Sequence, residues 1–261
     1  MRRIDRLMGA PRAGARPGVV LMLHVGRCGS TVLADLVGQH PRVYWDGKLP
    51  RVAKGLYGRR LAEMDFADWT RKQFAISGDR FYGFEFKVLK DQYPATIGMT
   101  TAEFLAACRE IGVTHYVLLA RRNTLRHVVS HYASKNRGAW HTSGGKAEKQ
   151  TFTLNLDDIT TGSSPGRPLV DYLHEVETVH DDLRRSLAKE RFLEIEYERD
   201  IDEAGAPHAY GLICDFLGLE TVEAGVRRAR MNPFSLSEVL ENHAEVKAAL
   251  AGTKFAWMAD T

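Results

Sequence analysis

A chain of 261 residues, 44% hydrophobic and 26% charged, has the composition of an ordinary globular protein with enough apolar residues for a sizeable core. Its 36 Lys and Arg nearly balance 33 Asp and Glu, and a net charge of +3 argues against a nucleic-acid binder, which would carry a basic stripe and interleaved aromatics. Three widely spaced cysteines, Cys28, Cys108 and Cys214, suggest neither a disulfide framework nor a paired metal site, and a reducing, cytoplasmic setting fits them.

Residues 1–18 are basic and lack the apolar core of a secretory signal, so they are read as a flexible arm, and no transmembrane segment is expected. Residues 19–261 show no repeat and no domain-splitting linker, which points to a single domain. "VVLML" from Val19 is short, β-branched at its start and bounded by Pro17-Gly18 and Gly26, as a buried parallel strand should be. "GSTVLADLVGQHP" then has helical spacing, with Val32, Leu33, Leu36 and Val37 on one face and Gly38 and Pro41 ending it. The next strand is expected over Phe81–Leu89 and another over Thr114–Ala120, with the helix "TAEFLAACREIG" between them.

After that strand, "RRNTLRHVVSHYASKNRG" places Leu125, Val128, Val129 and Tyr132 at helical spacing. Residues 138–168 are rich in Gly, Ser, Thr and charge with little period, which suggests a loop that is either functional, as a lid or ligand-binding loop, or disordered. "LVDYLHEVETVHDDLRRSLAKE" reads as a helix, "RFLEIEYE" as the fourth and last strand, "PHAYGLICDFLGL" as a helix, and the remainder as mostly helical. The alternation predicts an α/β fold of three layers, P-loop-like, with a central parallel sheet flanked by helices.

The first strand feeds the turn Gly26-Arg27-Cys28-Gly29-Ser30-Thr31, and such a glycine-bearing turn aims backbone amides and a helix N-terminus at one point. An anion is expected there, with the Arg27 fork and the hydroxyls of Ser30 and Thr31 as further donors. The alternative is a tight turn capped by Ser30. The turn lacks the Gly-Lys-Ser/Thr of a nucleoside triphosphatase, which weakens a kinase reading. A second strand-loop-helix unit carries Arg122 at the strand end and Ser130 about two helical turns on, placed to grip a second phosphate.

"HVGRCGSTVL" and "RRNTLRHVVSHY" together resemble the two anion motifs of the sulfotransferases that use 3′-phosphoadenosine 5′-phosphosulfate, PAPS. In that family the first loop holds the 5′-phosphosulfate with Lys or Arg at the place of Arg27, and an Arg and a Ser eight residues later, here Arg122 and Ser130, hold the 3′-phosphate. "EIEYERDI", "ICDFLGL" and "NPFSLSEVLENHAEV" are similar to later family segments, and the style is that of bacterial carbohydrate sulfotransferases of the trehalose sulfotransferase type. The chain departs in Cys28, where many relatives carry Ser, Thr or Gly, and in Thr124, where many have proline.

The resemblance implies metal-independent sulfuryl transfer from PAPS to a hydroxyl of a carbohydrate, glycolipid or other small acceptor, leaving PAP. It also implies cofactor contacts by Gly26, Arg27, Cys28, Gly29, Ser30, Thr31, Arg122 and Ser130. Arg27 and Lys87 would steady the transferred group, and Glu85 and Asp46 are candidates for the base. The catalytic glutamate or histidine of many relatives has no counterpart: Lys48 stands near the one place, and "EFKVLKDQYP" offers no histidine at the other. His131 and His141 are further alternatives for the base, and Trp140 could stack on a ligand. The competing reading outside enzymology is a sulfotransferase-like scaffold that binds nucleotide or anionic glycans without turnover.

Overall fold

The computed structural model describes residues 16–48, 71, 74–136, 149–161, 165–227 and 233–260. Five parallel strands form one sheet: β1 (Val19–His24), β2 (Val43–Lys48), β3 (Phe81–Lys87), β4 (His115–Ala120) and β5 (Phe192–Glu196), in the order β2-β3-β1-β4-β5. The principal helices are α1 (Ser30–Val37), α2 (Tyr93–Ile97), α3 (Thr101–Glu110), α4 (Thr124–Asn136), α5 (Leu169–Leu187), α6 (Ala206–Leu217), α7 (Leu236–Val239) and α8 (His243–Leu250). The three-layer α/β architecture read from the alternation of elements is the architecture observed.

The apolar runs of β1 and β4 are buried end to end because both faces of the sheet are covered. Leu21, Leu23, Phe84, Phe86 and Leu118 face one core with α3, α4 and α5. Val20, Met22, Val117, Leu119 and Ile195 alternate with them and face a second core with α1 and α6. In α5 the buried residues Leu169, Tyr172, Leu173, Val176, His180, Leu183 and Leu187 recur every three or four positions, so one stripe of a long helix lies on the sheet. α3 starts at a capping box, in which Glu103 N–H donates to Thr100 Oγ1 at 3.2 Å and Thr100 N–H to the Glu103 carboxylate at 2.8 Å.

The strand reading was one strand short. β2 lies at the sheet edge, and its Asp46-Gly47 pair reads locally as a turn. In the structure the register slips between Trp45 and Gly47, so Asp46 is the extra residue of a bulge and Gly47 takes a left-handed φ of 89°. "RFLEIEYE" also ends sooner than read. The Asp200 carboxylate accepts from Glu196 N–H at 2.8 Å and Tyr197–Glu203 winds into a π-helical turn.

The described part of the 138–168 segment is anchored. Phe152 bridges to Leu240, Thr153 donates to Glu241 at 2.8 Å, Leu154 N–H donates to Asn242 at 2.9 Å, and Tyr132 OH donates to Asp158 O at 3.1 Å. Residues 137–148 and 162–164, with Trp140 and His141, lie outside the described residues, as do residues 1–15 of the expected arm. Arg16, at the arm's end, donates to Ser77 Oγ at 3.2 Å.

Candidate active site

β1 and β4 are neighbours, so the loops that leave their carboxyl ends open side by side. The loop after β1 bends through Gly26 (φ 96°), Arg27 (φ 50°) and Gly29 (φ 85°), and among the described residues Arg27 is the one non-glycine with positive φ. Holding an arginine there costs about 1–2 kcal/mol, a strain that persists only where the surroundings enforce it. Here they do: Arg27 Nε donates to Ser130 Oγ at 3.1 Å, and Arg121 Nη1 donates to Arg27 O at 2.9 Å.

Gly29 is the N-cap of α1 and offers no side chain to its amides; Val32 N–H donates to Gly29 O at 3.1 Å, and the backbone amides of Gly26 and Ser30 lie against the Cys28 sulfur. Ser30 lies one position inside the helix, which sets aside the reading of a turn capped by its hydroxyl. A Cβ at Gly29 would stand 2.8 Å from Ile201 Cδ1 and 3.2 Å from Tyr197 Cδ2, so only glycine lets the π-helical turn close on the loop. Across Gly26 lies Lys87 from the end of β3, whose Cε and Nζ would be 3.4 Å from a Cβ there. Arg27 and Lys87 thus bring two cations to one loop.

Two residues that sequence reasoning missed hold this arrangement. Arg121 is buried, with its guanidinium 4.5 Å from the Tyr197 ring centre and 3.6 Å from Glu198. The Glu198 carboxylate accepts from Arg122 N–H at 2.9 Å and from Asn123 N–H at 3.1 Å, which fixes the loop after β4. The alternation of β4 carried a signal for Arg121, because Val117 and Leu119 face the α1 side and the next residue in phase is 121. Glu198 lies in the Tyr-Glu pair of "EIEYERDI", a segment whose resemblance assigned it no role.

Of the two residues expected to grip a second phosphate, Ser130 lies against Arg27. The Arg122 guanidinium points instead toward β5, 3.6 Å from Glu196 and 5.6 Å from the Trp257 ring centre, and is more than half exposed. The base candidates are separated. Glu85 is buried inside the sheet with its carboxylate 3.1 Å from His24 Nε2, and Asp46 accepts from Tyr82 OH at 2.7 Å at the β2 edge. Burial pushes the Cys28 thiol up to about 11 against the pull of Arg121, so this cysteine is a packed, protonated residue.

On α4, His127, Ser130, His131 and Ser134 share one face by their i, i+3, i+4 and i+7 spacing. His127 is wholly buried and hydrogen-bonded through Nδ1 to Tyr172 OH at 3.1 Å, and burial, then the nearby positive charges, holds it well below its ordinary range. His131 is only partly buried. Burial first, then Lys87, Arg27 and Lys135, pushes its imidazole down to about 4. No group of three His, Cys, Asp or Glu side chains placed to hold a metal ion occurs among the described residues, and no described helix is long and apolar enough to cross a membrane.

No family model matches the chain, and no curated protein matches it. Solved structures do. A sulfotransferase from Alicyclobacillus acidocaldarius superposes with a TM-score of 0.54 and 18% identity over 94% of this chain and 93% of that one. The sulfotransferase domain of the olefin synthase of Synechococcus PCC 7002 gives 0.48 at 17% identity over 82% and 78% of the two chains. Mouse sulfotransferase SULT7A1, complexed with PAP, gives 0.40 at 13% identity over 80% and 61%. The first of these spans nearly the whole of both chains, and with it the chain has the fold of a sulfotransferase.

Proposed function

We propose that this chain is a sulfotransferase that takes PAPS and transfers its sulfuryl group to a hydroxyl of a carbohydrate, glycolipid or other small acceptor. The observation that supports the reading is the bond from Arg27 Nε to Ser130 Oγ, which brings the loop after β1 against the helix that follows β4, as a site for a ligand with two phosphate groups would require. The amides from Gly26 to Thr31, with the Ser30 and Thr31 hydroxyls, would take the 5′-phosphosulfate. Ser130 would take the 3′-phosphate together with Arg122, once that side chain turns from Glu196.

Sulfuryl transfer is in line, and negative charge grows on the bridging oxygen as the nucleotide leaves. Fixed donors aimed at that oxygen lower the barrier because they need no reorganisation as the charge develops. Arg27 and Lys87 supply that field. Glu85 and His24, packed as a pair beneath the loop, and Asp46, tied to Tyr82, serve this account as supports of the loop and of the edge strand.

The test is transfer of radiolabelled sulfate from PAPS to a panel of sugars, lipids and phenols, with calorimetric titration of PAP against ATP and magnesium. Sulfated product and tight PAP binding are expected. Tight binding of magnesium-ATP without PAP binding would favour a kinase, and PAP binding without transfer to any acceptor would favour a non-catalytic scaffold.

A further inference from the structure

We infer that His131 accepts the proton of the acceptor hydroxyl in this reaction, an assignment that rests on the sulfotransferase reading above. A base here must be unprotonated at working pH, beside the cations that hold the sulfuryl group, and within reach of an acceptor entering from solvent. Among the described residues the other candidates each sit elsewhere. Glu85 is buried against His24 within the sheet. Asp46 is engaged with Tyr82 at the β2 edge. His127 is sealed beneath the surface on Tyr172, and the Glu198 carboxylate is taken up by the loop amides of Arg122 and Asn123.

His131 meets all three requirements. It follows Ser130, whose hydroxyl touches Arg27, and lies one helical turn beyond His127 on the face of α4 turned to the first loop. It is partly exposed where its neighbours on that face, His127, Ser130 and Ser134, are buried. The charged and titratable groups around it include Arg27 from the loop, Lys87 from β3, and Lys135, His127 and Tyr132 from its own helix, the Tyr132 ring centre lying 5.7 Å from that of His131. Burial first, and then the charges of Lys87, Arg27 and Lys135, hold the imidazole neutral, so one ring nitrogen carries a lone pair.

The step balances. The hydroxyl oxygen forms a bond to sulfur as the bond from sulfur to the 5′-phosphate oxygen breaks, and that electron pair leaves on PAP. The hydroxyl proton passes to the His131 ring nitrogen and then to water. Binding of PAPS also tunes the base. Its anionic groups offset Arg27 and Lys87, so the imidazole regains basicity in the complex, where it is needed.

The experiment has three arms. His131→Gln is expected to bind PAP as wild type does, yet to lose about a hundredfold in kcat, within the range general bases contribute. Wild-type activity should fall at low pH as His131 protonates, with the acid limb of kcat at a higher pH than that of kcat/KM, because kcat reports the complex and kcat/KM the free enzyme. The Gln variant should lack the limb, and imidazole added to His131→Ala should restore part of the rate. Third, the His131 ring resonances of wild type, followed by NMR, should titrate at a higher pH with PAP than without. Unchanged kcat, a retained limb, or a titration indifferent to bound PAP would overturn the assignment while leaving the sulfotransferase reading in place. Failure of wild type to bind PAP would overturn both.

Discussion

Arg27 sits in a strained conformation for the sake of its side chain, and two substitutions separate the strain from the chemistry. Arg27→Ala keeps the left-handed backbone, which costs about 1–2 kcal/mol, and loses the bond to Ser130, worth roughly 0.5–1.5 kcal/mol. Arg27→Gly loses the same bond but relieves the strain, against about 0.4–1 kcal/mol of added freedom in the unfolded chain. At the middle of these ranges the glycine variant should therefore be the more stable of the two by about 0.8 kcal/mol, a difference of roughly 2–3 °C in Tm for a domain of this size. Both variants remove the same donor from the developing charge, and both should lose about a hundredfold or more in turnover. Thermal melts with single-turnover sulfate transfer on the same preparations read both quantities. A glycine variant less stable than the alanine variant would refute the strain argument, and near-normal turnover in either would refute the catalytic one.

Two further outcomes follow from the packing. Burial, then the Arg184 charge, pushes His180 down to about 4, so the unfolded chain binds its proton first as the pH falls; stability is intact above about 6.5 and is lost between there and 4. Between pH 7 and 5 this group alone should remove about 2 kcal/mol, which urea titrations of wild type and His180→Gln would show as a shallower loss in the variant; parallel losses would count against it. Glu198→Ala leaves the Arg122 and Asn123 amides without their acceptor, at about 1–3 kcal/mol, and should weaken PAP binding by loosening the second loop. Calorimetry at wild-type affinity would show that the loop holds itself.

The sheet was legible because burial on both faces leaves continuous apolar runs, and "VVLML" and "THYVLLA" carry them. The first loop was legible through its glycines, and the closeness of the two loops followed from the expected parallel sheet. β2 was hidden because an edge strand with a bulge needs neither alternation nor an apolar run, and Asp46-Gly47 imitates a turn. The bond between Arg27 and Ser130, 103 positions apart, has no local signature. Arg121 and Arg122 are adjacent in sequence, and only the strand's phase decides that one is buried beneath the loop while the other reaches Trp257. The same limit applies to the carboxylates: sequence shows Glu85 and Asp46 near strand ends, whereas the face each takes and the partner it meets depend on register.

Whether the paired loops are spaced for two phosphates on one nucleoside is read by calorimetric titration of PAP alongside adenosine 5′-monophosphate. PAP should bind more tightly than the monophosphate, and Ser130→Ala should narrow that gap by weakening PAP alone. Equal affinity for the two nucleotides, or a gap untouched by the Ser130 change, would contradict the account.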